Sequence, residues 1–351
     1  MLVAAARGRA HGRGGLSARQ HQRVTLAAIR GRRDALRENL RHTPSVALTS
    51  PRISETLKGA DVFLKLECFQ HTGTFKARGA LSVALRITET DKPNGITAAS
   101  AGNHAIAAAW AARTIGTSAK VVMQSTANPY RIALAKAEGA EVVIKDPGAP
   151  TFAEAERLVR EENRTFIHPF EGLHTSLGTA GVGLELMEDV PDLDAVVVSC
   201  GGGGLMSGVS AAVKLINPAC KVYGVEPEGA DSMSRSFTAG HPVTLETTST
   251  IADSLAPPMA LPFGFTLCRE YVDELVRVSD EEICAGLVIL QEDAKLAVEP
   301  AAGAAIAAAF GPLRERVSGQ RVGIIICGAN IDCSTYQELL ARGQQFIARS
   351  A

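Results

Sequence analysis

The stretch DAVVVSCGGGGLMSGVSAAVKLI, residues 194–216, decides the fold. Its first seven residues, 194–200, are apolar and rich in β-branched side chains, as a strand requires. Gly201, Gly202, Gly203 and Gly204 follow, and the apolar run of residues 205–216 predicts a helix. A strand apolar on both faces belongs in a parallel sheet covered by helices on each side. Glycines let the backbone turn its N–H groups inward, and the helix N-terminus adds the positive end of its dipole. The junction therefore predicts a phosphate cradle, because four consecutive glycines cost too much chain entropy for a turn alone. GxxxxGK[ST] is absent, and Met206 breaks GxGxxG, so neither a Walker loop nor a dinucleotide fingerprint is present.

Outward from this unit the alternation continues. Strands are predicted at 62–67, 95–100, 119–124, 141–146, 165–170, 221–227 and 321–327, and helices at 78–87 and 103–116. The expected class is α/β, with two open, twisted, mostly parallel sheets flanked by helices. No Pro/Ser-rich linker interrupts the chain, so the domains are expected to share it discontinuously. Residues 34–92 plus 171–351 are assigned to a large cofactor-binding domain and residues 93–170 to a small one. Ligands in such sheets bind at the carboxyl ends of strands.

Composition narrows the function classes. The 351 residues are 46% hydrophobic and 21% charged, with a net charge of −1. Nothing favours nucleic acid or an anionic membrane, and no apolar run of 18 residues predicts a membrane span. Seven cysteines without a CxxC pair point to reduced thiols and a cytoplasmic protein. Eight arginines (7, 9, 13, 19, 23, 30, 32 and 33) precede the first acidic residue, Asp34. Residues 1–33 are therefore expected to be a basic arm: disordered, an upstream start, or an Arg-rich targeting peptide. Gly12, Gly14 and Gly15 would interrupt an amphipathic helix there.

Three further motifs carry chemistry. Lys76, in TGTFKARGA (72–80), lies ahead of a helix and beside Phe75. A desolvated lysine there becomes a competent amine for Schiff-base chemistry. SAGNH (100–104) joins a strand to a helix, so its amides suit a carboxylate, while Ser100 or Asn103 suits a cap. CGAN (327–330) follows the last strong strand and by itself reads as a buried cysteine before a glycine turn.

In order and spacing these motifs resemble the fold-type II pyridoxal-phosphate enzymes, which share the tryptophan synthase β-subunit fold. Within them they resemble the threonine/serine dehydratase (ammonia-lyase) and serine racemase group. The resemblance rests on residues 65–80, 100–112, 200–209, 223–236, 250–258, 298–309 and 327–332. It implies pyridoxal 5′-phosphate as cofactor, with Lys76 as its covalent partner and the group that later moves protons at the substrate. Phe75 would lie against the cofactor ring and Asn103 would bond the ring hydroxyl oxygen. Gly201 to Gly204 and Leu205 would hold the phosphate, Cys327 would face the pyridine nitrogen, and Glu299 would lie near the ring edge. Thr74, Ser100, Ala101, Gly102, Asn103 and His104 would surround the substrate. A divalent cation (Mg or Mn) would bind at Glu226 and the Ala230 carbonyl, although Ser232 stands where metal-binding racemases carry Asp. Relatives are commonly homo-oligomers.

Four other positions depart from the family pattern. Thr74 replaces Ser, Ile106 replaces Gln, residues 174–186 lack GQGT, and Ala101 stands where racemases carry Ser. The implied reaction is dehydration of an L-3-hydroxy amino acid (threonine, serine or a bulkier analogue) to the 2-oxo acid and ammonia. Racemisation or β-substitution of an amino acid is the alternative within the family. A non-catalytic ligand-binding or dinucleotide-dependent protein is the alternative outside it. About twenty residues follow CGANID, too few for a regulatory domain, so no isoleucine feedback is expected.

Overall fold

A computed structural model describes residues 24–350. Its strands are β1 (Ser45–Leu48), β2 (Asp61–Leu66), β3 (Ile96–Ala99), β4 (Ala119–Gln124), β5 (Glu141–Lys145), β6 (Thr165–Phe166), β7 (Ala195–Ser199), β8 (Lys221–Pro227), β9 (Glu274–Val278) and β10 (Arg321–Ile326). They form two sheets, ordered β1-β2-β10-β7-β8-β9 and β5-β4-β3-β6. Every pairing is parallel except β1 with β2. The central strands are buried on both faces, as the continuous apolar runs of β7 and β10 require.

Three helices set the spacing of the site. Lys76–Ala84 and Gly204–Ile216 both pack on Leu173–Asp189. The close approach depends on glycine: a Cβ on Gly178 would lie 2.5 Å from the Arg78 carbonyl oxygen, and one on Gly183 2.9 Å from that of Val209. The stretch lacking GQGT is thus a glycine-lined seam. Ala77, Ala80, Leu81 and Ala84 share a core with Ile96, Ala98 and Val121 of the smaller sheet. The lysine-bearing helix therefore packs against both sheets' helical layers, although sequence assigned it to the large domain.

Arg78 is buried between two carboxylates. It bonds Glu67 through Nε and Nη2 at 2.8 Å each, and Glu185 through Nη1 and Nη2 at 2.7 Å each. Lys65, buried within β2, donates to Thr43 O and pairs with Glu185 and Asp189. These contacts compensate charges that burial would otherwise forbid.

Some expectations shift. Only Thr165–Phe166 of the run 165–170 is strand, because Pro169 has no N–H for a ladder. His168, Pro169 and Phe170 instead form a loop over the site. The helix expected at 78–87 runs from Lys76 to Ala84. β1 and β9 were not legible. Residues 1–23, most of the proposed arm, lie outside the described residues. Within the rest of that span Thr25 caps the helix Leu26–Leu36, whose Ile29 packs in a core with Leu177 and Leu184.

Candidate active site

The residues expected to hold the cofactor converge at the carboxyl ends of β2, β7 and β10, facing the end of β3. A cavity there is lined by Phe75, Lys76, Asn103, Gly201 to Leu205, Glu299 and Cys327, whereas Thr74, Ser100, Ala101 and Gly102 lie outside its wall. Thr74, just before Phe75, is extended and bridges Gly328. The preceding Gly73 has φ +72°, and a Cβ there would meet Asn330 Oδ1 at 2.7 Å. That glycine lets the chain turn beneath the last strand. Phe75 N–H donates to Cys327 O, fixing the lysine helix to β10.

Lys76 opens its helix, its N–H donating to Thr74 Oγ1. Its Nζ donates to Pro169 O at 2.7 Å and lies 5.1 Å from the Phe75 ring centroid. Burial pushes the ammonium down to about 8, against the opposing influence of Cys327 and Glu299. The side chain keeps partial access to the cleft, so the neutral amine is both available and reachable.

Opposite lies the glycine loop. Gly203 has φ +88° and precedes the helix Gly204–Ile216. Gly202 and Gly204 lie against Phe170: a Cβ on either would approach that residue within 2.6 Å. The loop thus brings bare backbone and a helix N-terminus to the cavity, the arrangement that binds a phosphate.

Of the SAGNH residues, Ser100 Oγ accepts from Gly102 N–H at 3.1 Å, so this hydroxyl folds the loop rather than capping the helix Asn103–Thr114. A Cβ on Gly102 would sit 2.7 Å from Arg131 Cδ. Ala101 contributes only a methyl group. Asn103 Nδ2 donates to both Glu299 oxygens at 2.8 Å, and Asn103 Oδ1 accepts from Asn330 Nδ2 at 2.8 Å. Glu299 is buried, which raises its carboxyl, while Arg131 and Asn103 oppose the rise. Arg131 spans the two sheets' domains: Nε donates to Asn330 O, Nη1 pairs with Asp253, and Nη2 lies 3.8 Å from Glu299.

Cys327 is buried, and desolvation holds its thiol protonated. These residues fit pyridoxal 5′-phosphate: an amine at one wall, an anion cradle at the other, and an aromatic face and a neutral thiol between. When bound, that group withdraws electrons from the carbon attached to the substrate nitrogen. Lys76 would hold or move the proton at that carbon, the loop amides would bind the phosphate, and the protonated, buried Cys327 would face the pyridine nitrogen.

Sequence missed His168, Pro169, Phe170, Arg131, Asp253 and Ser254, whose hydroxyl donates to Glu299. Only Pro169, inside an apparent strand, signalled an interruption. His104 is buried and donates from Nε2 to Ile167 O at 2.8 Å. His168 accepts at Nδ1 from Phe170 and Glu171 N–H at 3.2 and 3.0 Å.

Glu226 is buried at the end of β8, where Met233 N–H donates to Oε1 and Ser234 N–H and Oγ donate to Oε2. The carboxylate that was expected to bind a cation thus anchors the helix Ser232–Ala239. Ala230 lies in the preceding 3₁₀ turn, and Ser232 Oγ is buried without a partner. Among the described residues no three His, Cys, Asp or Glu side chains cluster as a metal site, so a cation would have to displace existing bonds.

Comparison with known proteins shows the family. The family model described as pyridoxal-phosphate dependent enzyme matches residues 37–328. A phenylserine dehydratase of Ralstonia pickettii is 48% identical over 91% of this chain and 97% of its own length. An L-threonine ammonia-lyase of Thermotoga maritima is 37% identical over 91% of this chain and 79% of its own. The solved structure of maize serine racemase superposes with a TM-score of 0.84 at 31% identity, covering 93% of this chain and 99% of that one.

Proposed function

Since this chain belongs to the pyridoxal-phosphate dependent enzyme family, we propose that it is a lyase dehydrating an L-3-hydroxy amino acid to the 2-oxo acid and ammonia. The observation that carries the reading is the cleft itself. A lysine amine brought near neutrality by burial faces the glycine anion cradle, and the loop beside it carries Ala101 where racemases place a serine. Racemisation needs an acid/base group on each face of the planar carbon. Lys76 supplies one. In SAGN the position where racemases carry Ser is Ala101, whose methyl group carries no proton, and Ser100 Oγ accepts from the Gly102 amide in folding the loop. Elimination needs only one such group, because the proton lost from C2 is not returned to it from the other side.

The likeness to a phenylserine dehydratase supports a bulky substituent on C3. A panel of L-serine, L-threonine and L-3-phenylserine, assayed for 2-oxo acid and ammonia, tests the reaction. D-serine forming as fast as pyruvate would overturn the dehydratase reading. Ala101→Ser should raise the racemised share. Lys76→Ala should abolish turnover, and borohydride should fix the cofactor on Lys76 and on no other lysine.

Six buried, unpaired cysteines support a reducing, cytoplasmic setting. The family resemblance supports a homo-oligomer, which light scattering checks. A cation at Glu226 and Ala230 has weaker support, because it would cost Glu226 three hydrogen bonds. One Mg or Mn tightly held per chain would establish it.

A further inference from the structure

A second, smaller cavity adjoins the first across Phe75 and Lys76. His104 and His168 form part of its wall, with Gly79 and Ala80 of the lysine helix. It has room for about one water-sized group.

Both imidazoles are locked in single roles. A carbonyl oxygen only accepts, so His104 carries its proton on Nε2, which donates to Ile167 O. Amide N–H groups only donate, so His168 Nδ1, which receives two of them, is bare. Burial and the nearby Lys76 hold both rings neutral, pushing His104 down to about 3 and His168 to about 4. His104 therefore has an acceptor left at Nδ1, and His168 a donor left at Nε2–H. Thr179, also on the wall, is already committed through its hydroxyl to Gly204 O at 2.7 Å.

We propose that this cavity is the subsite for the substrate's 3-hydroxyl group, which donates to His104 Nδ1 and accepts from His168 Nε2–H. The assignment rests on the dehydratase reading and names the side chains that select the leaving group. One free acceptor and one free donor, both uncharged, match an alcohol. An ammonium would face the His168 N–H, and a carboxylate would face the His104 lone pair. The position also fits. C3 is one bond from the carbon whose proton Lys76 removes, and Lys76 lines the same cavity. As that proton leaves C2, its electron pair forms the C2–C3 double bond and the C3–O bond breaks. The departing oxygen takes one proton and leaves as water. The proton that Lys76 acquired balances the step and restores the amine.

The test uses holoenzyme and two leaving groups. L-Serine, or whichever 3-hydroxy acid the wild type turns over best, needs the hydrogen-bonded pair, whereas 3-chloro-L-alanine expels chloride without it. In His168→Asn the side-chain amide takes over the two backbone N–H bonds but loses the Nε2–H. We expect kcat/KM on the hydroxy acid to fall about 10–100-fold, with chloroalanine elimination changed less than about threefold. His168→Gln, which regains a donor near the Nε2 position, should recover part of the loss. A merely structural role would lower both substrates in parallel. That result, or no loss on the hydroxy acid, overturns the subsite while leaving the dehydratase reading intact. A wild type that eliminates water from no 3-hydroxy acid defeats the dehydratase reading, and the subsite with it.

Discussion

At Lys76 the decisive quantity is proton affinity. An amine attacks a carbonyl only when neutral, and an ordinary lysine near 10.5 is about a thousandth neutral at pH 7.5. Held at about 8 by burial, Lys76 is roughly a quarter neutral there. The sign follows from the direction of the shift: neutral amine accumulates as pH rises through about 8 rather than through 10.5, as for an exposed lysine. Reconstitution of apoprotein with pyridoxal phosphate, followed by absorbance, should therefore accelerate from pH 6 and level off near pH 9. A rate still climbing steeply above pH 10 would refute the buried-amine account. The TGTFKARGA motif singled out this lysine. The burial that lowers it outweighs the opposing influence of Glu299 and Cys327 and depends on segments distant in sequence, such as the loop whose Pro169 carbonyl accepts from its Nζ.

At the scale of elements, the glycine loop was the most legible feature, since four glycines between an apolar strand and a helix have few other uses. Sequence did not disclose what each glycine avoids. Gly202 and Gly204 clear Phe170, Gly201 clears Leu255, and Gly203 alone adopts the left-handed conformation. Gly203→Ala places a Cβ 2.7 Å from Met233 Cε and forces an L-residue to φ +88°, at a cost of about 1–2 kcal/mol. The expected result is a lower Tm and weaker cofactor binding in a spectroscopic titration, with the apoprotein still folded. The run 165–170 was misread for a physical reason: apolar periodicity cannot reveal that Pro169 ends a ladder in order to present a carbonyl to Lys76. Where His168 would lie was equally hidden, because its ring is fixed by the amides of Phe170 and Glu171.

For the molecule as a whole, the site lies between two sheets, and Arg131 ties them together. It packs behind Gly102 and pairs with Asp253 and Glu299 of the other sheet's domain. Asn128 adds a bond to Asp332 across the same seam. Arg131→Ala should leave the cofactor bound but let the SAGNH loop drift, raising KM for the amino acid about tenfold, the worth of about one charged hydrogen bond. Arg131→Lys should restore much of it. Steady-state kinetics beside the bound-cofactor absorbance distinguishes this from loss of cofactor. The sequence by itself determined the α/β class and pointed to a glycine cradle, because each is a local arrangement, a period or a run of glycines; it pointed to Lys76 only through the order and spacing of several motifs together. Tertiary structure alone decided that Glu226 anchors a helix, that Arg131 spans the domains, and that His104 and His168 meet beside Lys76. Those outcomes depend on which backbone amides and carbonyls surround a side chain after folding, and partners tens to hundreds of residues away leave no local pattern.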